Sequence, residues 1–270
     1  MHNSNAKQLL DKIISMNNKD IQSSLDLVFN ELNKSHELDN EFGETYYFYG
    51  VAFYKKGDYY IAINDFNKAM DAYNDSLYNF DKSESFYSHI SNTYFDKGKT
   101  YIALGDVYLK RDSEKSKDCY QKAIDCFKSS LIAKYGFPEN VYFAIGNIYY
   151  KLEDYQSAIE NYSSALETAN DKNKPTRKEI FFCRSETYFM LGTKNFINKD
   201  FDIALNYFIK STEDNNENYN SHFEIAKTYC SLERWQEAVK KFDFILEHAP
   251  SDFNLEFVRI NRNFAYSMIK

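Results

Sequence analysis

Residues 185–218 read SETYFMLGTKNFINKDFDIALNYFIKSTEDNNEN, and residues 219–252 read YNSHFEIAKTYCSLERWQEAVKKFDFILEHAPSD. Laid one over the other, the two stretches keep step throughout. Tyr188 falls on His222, Leu191 on Ile225, Gly192 on Ala226, Phe201 on Trp235, Ala204 on Ala238 and Phe208 on Phe242, always 34 residues apart. Within each half, apolar positions recur at spacings of three and four, the mark of one helix face. A polar step, Asp200-Phe201 or Arg234-Trp235, interrupts each copy midway. Each copy therefore reads as two helices joined by a tight turn.

The same frame recurs upstream. Tyr142-x-x-Ile145-Gly146-x-x-Tyr149 is followed by the turn Glu153-Asp154-Tyr155, then by Ala158 and Tyr162. Tyr46-x-x-Tyr49-Gly50-x-x-Phe53 is followed by Gly57-Asp58-Tyr59, Ala62 and Phe66, which predicts a turn near Gly57. The copy at Tyr101-x-x-Leu104-Gly105-x-x-Tyr108 departs from the rest. Its second helix offers two registers, Ser116-Tyr120-Ala123 or Ala123-Phe127-Ser130, and the next repeat favours the second. A longer helix is expected there, over 114–134. Residues 77–97 and 173–184 are extra lengths expected to extend flanking helices, with a loop at 171–175.

This frame resembles the tetratricopeptide repeat family, a helix–turn–helix unit with a W-x₂-L-G-x₂-Y…A-x₃-F…P pattern. The resemblance implies an all-α fold: a right-handed superhelical solenoid of antiparallel helix pairs, with about five repeats plus capping helices. The repeats are expected at 43–76, 98–134, 139–172, 185–218 and 219–252, an array over 43–252. Helical apolar spacing at 7–14 and 20–34 predicts N-terminal capping helices within 1–42, and 253–270 reads as a closing helix. One helix pair cannot bury its apolar stripes alone, so neighbours must stack. Small residues let the axes approach, and the rings fill the gaps between repeats.

Composition narrows the function. The chain has 270 residues, a net charge of −7, only 8 Gly and 3 Pro, but 24 Tyr and 23 Phe. An acidic balance disfavours nucleic acid as the main partner, because phosphate binding needs a positive surface. Scarce Gly and Pro disfavour β-barrels and Gly-rich phosphate loops. No apolar run reaches the roughly 18 residues of a membrane span, and the N-terminus lacks an uninterrupted secretory core, so a cytoplasmic protein is expected. The cysteines Cys119, Cys126, Cys183 and Cys230 form no CxxC pair and read as reduced core thiols. The five histidines share no metal-ligand spacing, so neither metal nor cofactor is expected. Gly98-Lys99-Thr100 invites a phosphate-loop reading, but Thr93 stands where that loop needs its first glycine.

In the family resembled, the first helices of successive repeats line a concave face where partners bind. Carried over by position, that groove comprises Tyr47, Phe48, Val51, Tyr54, Ile102, Asp106, Leu109, Phe143, Asn147, Tyr150, Phe189, Met190, Thr193, Phe196, Phe223 and Lys227. A known mode of the family grips a peptide carboxylate with Lys and Asn. Here Asn147 matches the Asn position, but Phe143 replaces the Lys, and Val51, Asp106, Thr193 and Lys227 stand at the Asn position elsewhere. That clamp is not reproduced. Asn147 reads equally as a peptide-binding amide or as a polar residue at a common position. The mostly apolar lining points to an apolar or amphipathic helix as ligand. It fits equally well a core stripe, or a face covered by terminal segments or by a second copy of the chain. The resemblance implies a non-catalytic adaptor that binds another protein or peptide. The alternative is a peptide-sensing regulator that changes shape on binding. An enzyme would need a cluster of perturbed titratable groups, for which the sequence offers no candidate.

Overall fold

The computed structural model describes residues 4, 7, 8, 11, 21–38, 43–87, 89–169 and 175–269. Among the described residues there are twelve α-helices and no strand, and residues 4, 7, 8 and 11 are helical as well. The helices are α1 (Ile21–Leu38), α2 (Gly43–Ala62), α3 (Phe66–Ser85), α4 (Ile90–Tyr108), α5 (Ser113–Ile132), α6 (Pro138–Lys151), α7 (Tyr155–Thr168), α8 (Arg177–Ile197), α9 (Phe201–Asp214), α10 (Tyr219–Ser231), α11 (Trp235–His248) and α12 (Leu255–Ser267). They form two compact units, residues 1–141 and 142–270. Most of the segment 7–14, and residues 171–174, lie outside the described residues. No helix among the described residues is long and apolar enough to cross a membrane.

Four of the five turns inside the helix pairs share a left-handed residue, and the α4–α5 turn has none. Asn64, Glu153, Lys199 and Glu233 adopt left-handed φ values of 60°, 60°, 67° and 57°. The next residue takes the N-cap position, and the second helix starts one residue later. Asp65, Asp112 and Asp154 each accept a hydrogen bond from the backbone N–H three residues on, which satisfies an otherwise orphaned donor of the first turn. Thr176 and Glu179 close a reciprocal capping box at the start of α8.

In residues 1–141 the pairs α2/α3 and α4/α5 are built from helices of 19 or 20 residues. Seven residues, two turns along one face, separate Gly50 from Gly57 on α2 and Gly98 from Gly105 on α4. Gly50 lies against the ring of Phe80 and Gly57 against Tyr73; Gly98 lies against Phe127 and Gly105 against Tyr120. The order of the rings runs opposite to that of the glycines, so the paired helices are antiparallel. In residues 142–270 each glycine-bearing pair has one such contact, Gly146 with Tyr162 and Gly192 with Phe208.

This arrangement corrects the sequence reading of the first copy. Its turn falls at Asn64-Asp65, seven residues after the expected Gly57-Asp58, which lies inside α2. Ala62 and Phe66 are exposed, Phe66 at 37%. The buried alanine and ring are Ala69 and Tyr73, at 0% and 2% exposure. The physical reason is the second glycine, because a frame anchored on Gly50 fits equally well on Gly57. The α5 ambiguity has the same origin. Both registers are used, Tyr120 under Gly105 and Phe127 under Gly98. The Gly98-Lys99-Thr100 stretch is simply a helix face.

Within each unit, second helices pack between their own first helix and the next one. Ala69, Tyr73 and Leu77 of α3 share a core with Leu104 and Val107 of α4 and Cys119 of α5. Ala226 of α10, Phe242 and Ile245 of α11, and Val258 and Ala265 of α12 form another. At the glycine-bearing contacts, serine hydroxyls bond to the facing helix. Ser76 donates to the Gly50 carbonyl (2.8 Å) and Ser116 to that of Gly105 (2.8 Å). The four cysteines are free thiols, and burial pushes the Cys126 thiol up to about 11.

His222 stands where four other copies have Tyr46, Tyr101, Tyr142 and Tyr188. It is 5% exposed, with Nε2 2.9 Å from the Asn216 carbonyl and the ring 4.8 Å from that of Phe244. Burial lowers its pKa, and the charge of Lys241 lowers it further. The folded state thus binds fewer protons here than the unfolded state. This contribution to stability is present above the ordinary histidine pKa near 6.5 and is lost as pH falls below it. Between about pH 7.5 and pH 5.5, on either side of that value, the thermal midpoint should therefore drop more for the wild type than for His222→Tyr. An equal drop would remove His222 as the cause.

Candidate functional site: a groove between first helices

Residues on one face of α2, Glu44, Tyr47, Phe48, Val51, Tyr54 and Lys55, line a cavity of about 500 Å³. His89, Asn92, Asp96 and Lys99, at the start and on one face of α4, line it from the other side. Phe80 of α3 reaches it between them, and Lys7 and Asp11 complete the lining. The α2 wall is aromatic and aliphatic. The α4 wall is polar.

Asp96 organises the polar wall. Its Oδ2 accepts from Tyr47 Oη at 2.9 Å and its Oδ1 from Lys99 Nζ at 3.0 Å. The Lys99 ammonium also lies 5.0 Å from the Tyr54 ring centre, a cation–π distance. At the other end, the His89 ring stacks on Tyr47 with centroids 5.0 Å apart, and its Nε2 is 3.2 Å from Glu44. Burial, then the Asp96 charge, pushes the Tyr47 phenol far up, so it stays a neutral donor. Burial likewise raises Tyr54.

Of the sequence-predicted groove residues, Tyr47, Phe48, Val51 and Tyr54 share this cavity. Phe48 is also core, at 7% exposure against Leu25, Val28 and Leu32. Ile102 is half-buried and Asp106 exposed; both lie on α4, and neither lines the cavity. Leu109, 49% exposed, lies just past the end of α4. Asp106 instead accepts the hydroxyl of Tyr120. In residues 142–270, Phe196 of α8 meets Phe223 and Lys227 of α10 through the lysine, whose Nζ lies 5.2 Å and 5.7 Å from the two ring centres. Tyr150 packs on Tyr155 at 5.6 Å, Thr193 bonds to the Phe189 carbonyl at 3.0 Å, and Met190 is half-buried.

Two regularities explain much of the groove composition. First, the ring three residues before Gly50, Gly57, Gly98, Gly146, Gly192 and Ala226 packs on the ring that faces it; before Gly105 that place is Ile102. The pairs are Tyr47–Phe80, Tyr54–Tyr73, Phe95–Phe127, Phe143–Tyr162, Phe189–Phe208 and Phe223–Phe242, with centroids 5.5–6.0 Å apart. Phe143 and Phe189 are therefore half core, not purely a binding surface. Second, where the facing ring is Tyr, the residue after the glycine accepts its hydroxyl. Tyr73 donates to Asp58 (3.0 Å), Tyr120 to Asp106 and Tyr162 to Asn147 (2.7 Å). Where the ring is Phe, that residue is Val51, Lys99, Thr193 or Lys227. Asn147 thus has an intramolecular task.

The sequence reading missed Glu44, His89, Asn92, Asp96 and Lys99. It started the second repeat at 98, whereas α4 begins at Ile90. The signal was present: Phe95-x-x-Gly98 repeats the ring–glycine spacing of Tyr47-x-x-Gly50 and Phe143-x-x-Gly146.

Antiparallel helix pairs stacked through glycine–ring contacts define a helical-repeat scaffold. Models of the tetratricopeptide repeat match residues 43–78 and 96–171. Residues 43–78 and 96–171 are tetratricopeptide repeats, and the chain is a repeat scaffold of the protein-interaction class. None of the curated proteins compared with it matches. Among solved structures it is similar to YrrB, described as a TPR protein with an unusual peptide-binding site, at TM-score 0.45 and 18% identity over 85% of this chain and 97% of that one. It is similar to MamA at TM-score 0.45 and 19% identity, covering 74% and 91%. It is also similar to a thermophilic TPR protein of Thermus thermophilus, at TM-score 0.45 and 16% identity, covering 84% and 99%. Among the described residues, no group of His, Cys, Asp and Glu is arranged to hold a metal ion.

Proposed function

We propose that this protein is a non-catalytic adaptor that holds a polypeptide segment, an amphipathic helix, in the groove between α2 and α4. The observation that carries this reading is the two-faced lining. Val51 and Tyr54 offer an apolar wall, and Asn92, Asp96 and Lys99 offer a polar one. A helix apolar on one side and charged on the other satisfies both walls at once, which a wholly apolar segment does not. No step of chemistry is needed for this role.

Asn92→Arg tests it. Asn92 is exposed, so the change should alter stability by no more than about 0.5 kcal/mol, yet it places a long cation across the cavity. Affinity capture from a lysate, with the wild type and the variant side by side, should show polypeptides retained by the first and lost by the second, at an unchanged thermal midpoint. Identical retention by both would overturn the assignment of this groove.

A further inference from the structure

Among the described residues of 142–270, eight large apolar side chains are exposed, and five of them fall between 257 and 268. Four of the five, Phe257, Ile260, Phe264 and Met268, follow one another at spacings of three and four, which sets them along one face of α12 and its C-cap. Val258 and Ala265, both fully buried, hold the helix on α10 and α11. The stripe lies beside that contact and not in it: Phe257, Ile260 and Phe264 are 51%, 58% and 57% exposed. Its rings are pinned all the same. Phe257 packs on Phe223 of α10 with centroids 5.4 Å apart, and Phe264 on Trp235 of α11 at 6.1 Å.

Two features identify what covers this face. First, no charged residue belongs to the stripe. Arg259 and Arg262 lie around the helix from it, paired with Glu256 (3.5 Å) and Asp243 (2.9 Å). The face therefore offers little to a partner chosen by charge, unlike the two-faced groove of α2 and α4. Second, it reads nearly the same in both directions. Phe257 stands three residues before Ile260 and Phe264 four after it. A two-fold axis beside Ile260 thus sets that residue against its own copy and lays Phe257 of one chain alongside Phe264 of the other. An isologous interface requires such a self-complementary patch. We propose that α12 is a dimerisation helix, through which two copies of the chain pair antiparallel about an axis at Ile260. Pairing removes from water the rings that a lone chain leaves exposed, which is the gain that drives it. The contact closes on itself, so the assembly stops at two. The lining of the α2–α4 groove lies in residues 1–141, so this inference does not depend on that reading.

Sedimentation velocity of the full-length chain over a wide concentration range tests this. The wild type should sediment as a monomer–dimer equilibrium. Ile260→Asp and Ile260→Lys should each stay monomeric at the same concentrations, with unchanged helical content by circular dichroism, because Ile260 is exposed in the single chain. An equal mixture of the two variants should recover a one-to-one heterodimer, since the axis sets an aspartate beside a lysine. A folding defect is not rescued by such mixing. Ile197→Asp, at an exposed position at the end of α8, should leave the dimer intact. A wild type that is monomeric throughout, dimers that survive both Ile260 substitutions, or variants that stay monomeric on mixing would each overturn the proposal. Oligomers that grow beyond two would overturn it as well.

Discussion

Gly57→Val is expected to destabilise the protein by about 3 kcal/mol, at the upper end of overpacking costs in a filled core. A Cβ at this position would overlap Cε1 of Tyr73 and lie 2.5 Å from its Cδ1. The ring has nowhere to go. Tyr73 is 2% exposed, its hydroxyl is tied to Asp58 at 3.0 Å, and the Tyr54 ring packs on it at 5.9 Å. Two opposing effects meet at Gly57→Ala. Helix propensity favours alanine over glycine by about 1 kcal/mol, but the overpacking exceeds that gain, leaving a net loss of about 1–2 kcal/mol. Valine adds bulk and gives up most of the propensity gain. Gly136→Ala is the control, since nothing lies within 4 Å of its Cβ position. Urea unfolding midpoints should therefore rank wild type with Gly136→Ala, then Gly57→Ala, then Gly57→Val. A Gly57→Val protein as stable as wild type would refute helix pairing through glycine–ring contacts.

Asp214→Ala should cost about 2–4 kcal/mol, because it strands a largely buried cation. Arg184 of α8 grips Asp214 of α9 with two parallel hydrogen bonds, Nε to Oδ2 and Nη2 to Oδ1, both 2.7 Å. The side chains are only 18% and 8% exposed. Nη1 is spent on Ser163 of α7 at 2.9 Å, so one guanidinium joins three helices. In the wild type the hydrogen bonds to Asp214 hold the arginine's pKa up; in the variant the guanidinium still keeps its proton, because an arginine side chain is not deprotonated in proteins. Asp214→Asn keeps an acceptor and should lose less. The paired change Arg184→Met with Asp214→Leu should recover most of the loss, since an ion pair replaced whole by apolar groups is often neutral. Chemical denaturation of the four proteins gives the ranking. Equal losses for Asp214→Ala and Asp214→Asn would show that the charge is immaterial.

The sequence by itself determined that the chain is α-helical, that its helices come in pairs, and where most turns fall. The Glu153-Asp154-Tyr155, Asp200-Phe201 and Arg234-Trp235 steps are turns because a left-handed residue and a second-helix start follow one another in a fixed pattern. These are local effects, and local effects are written in short windows of sequence. The apolar wall of the groove was legible for the same reason, since Tyr47, Val51 and Tyr54 recur at helical spacing. The tertiary structure alone decided which glycine meets which ring. Gly50 and Gly57 lie two turns apart, and so do Gly98 and Gly105, so each helix presents both on one face and its sequence prefers neither. Only the length and position of the facing helix made both contacts real, moved the first turn to Asn64-Asp65, and started α4 early enough to bring Asp96 and Lys99 opposite Tyr54. Periodicity repeats with each turn and therefore cannot count turns; packing against a second helix can.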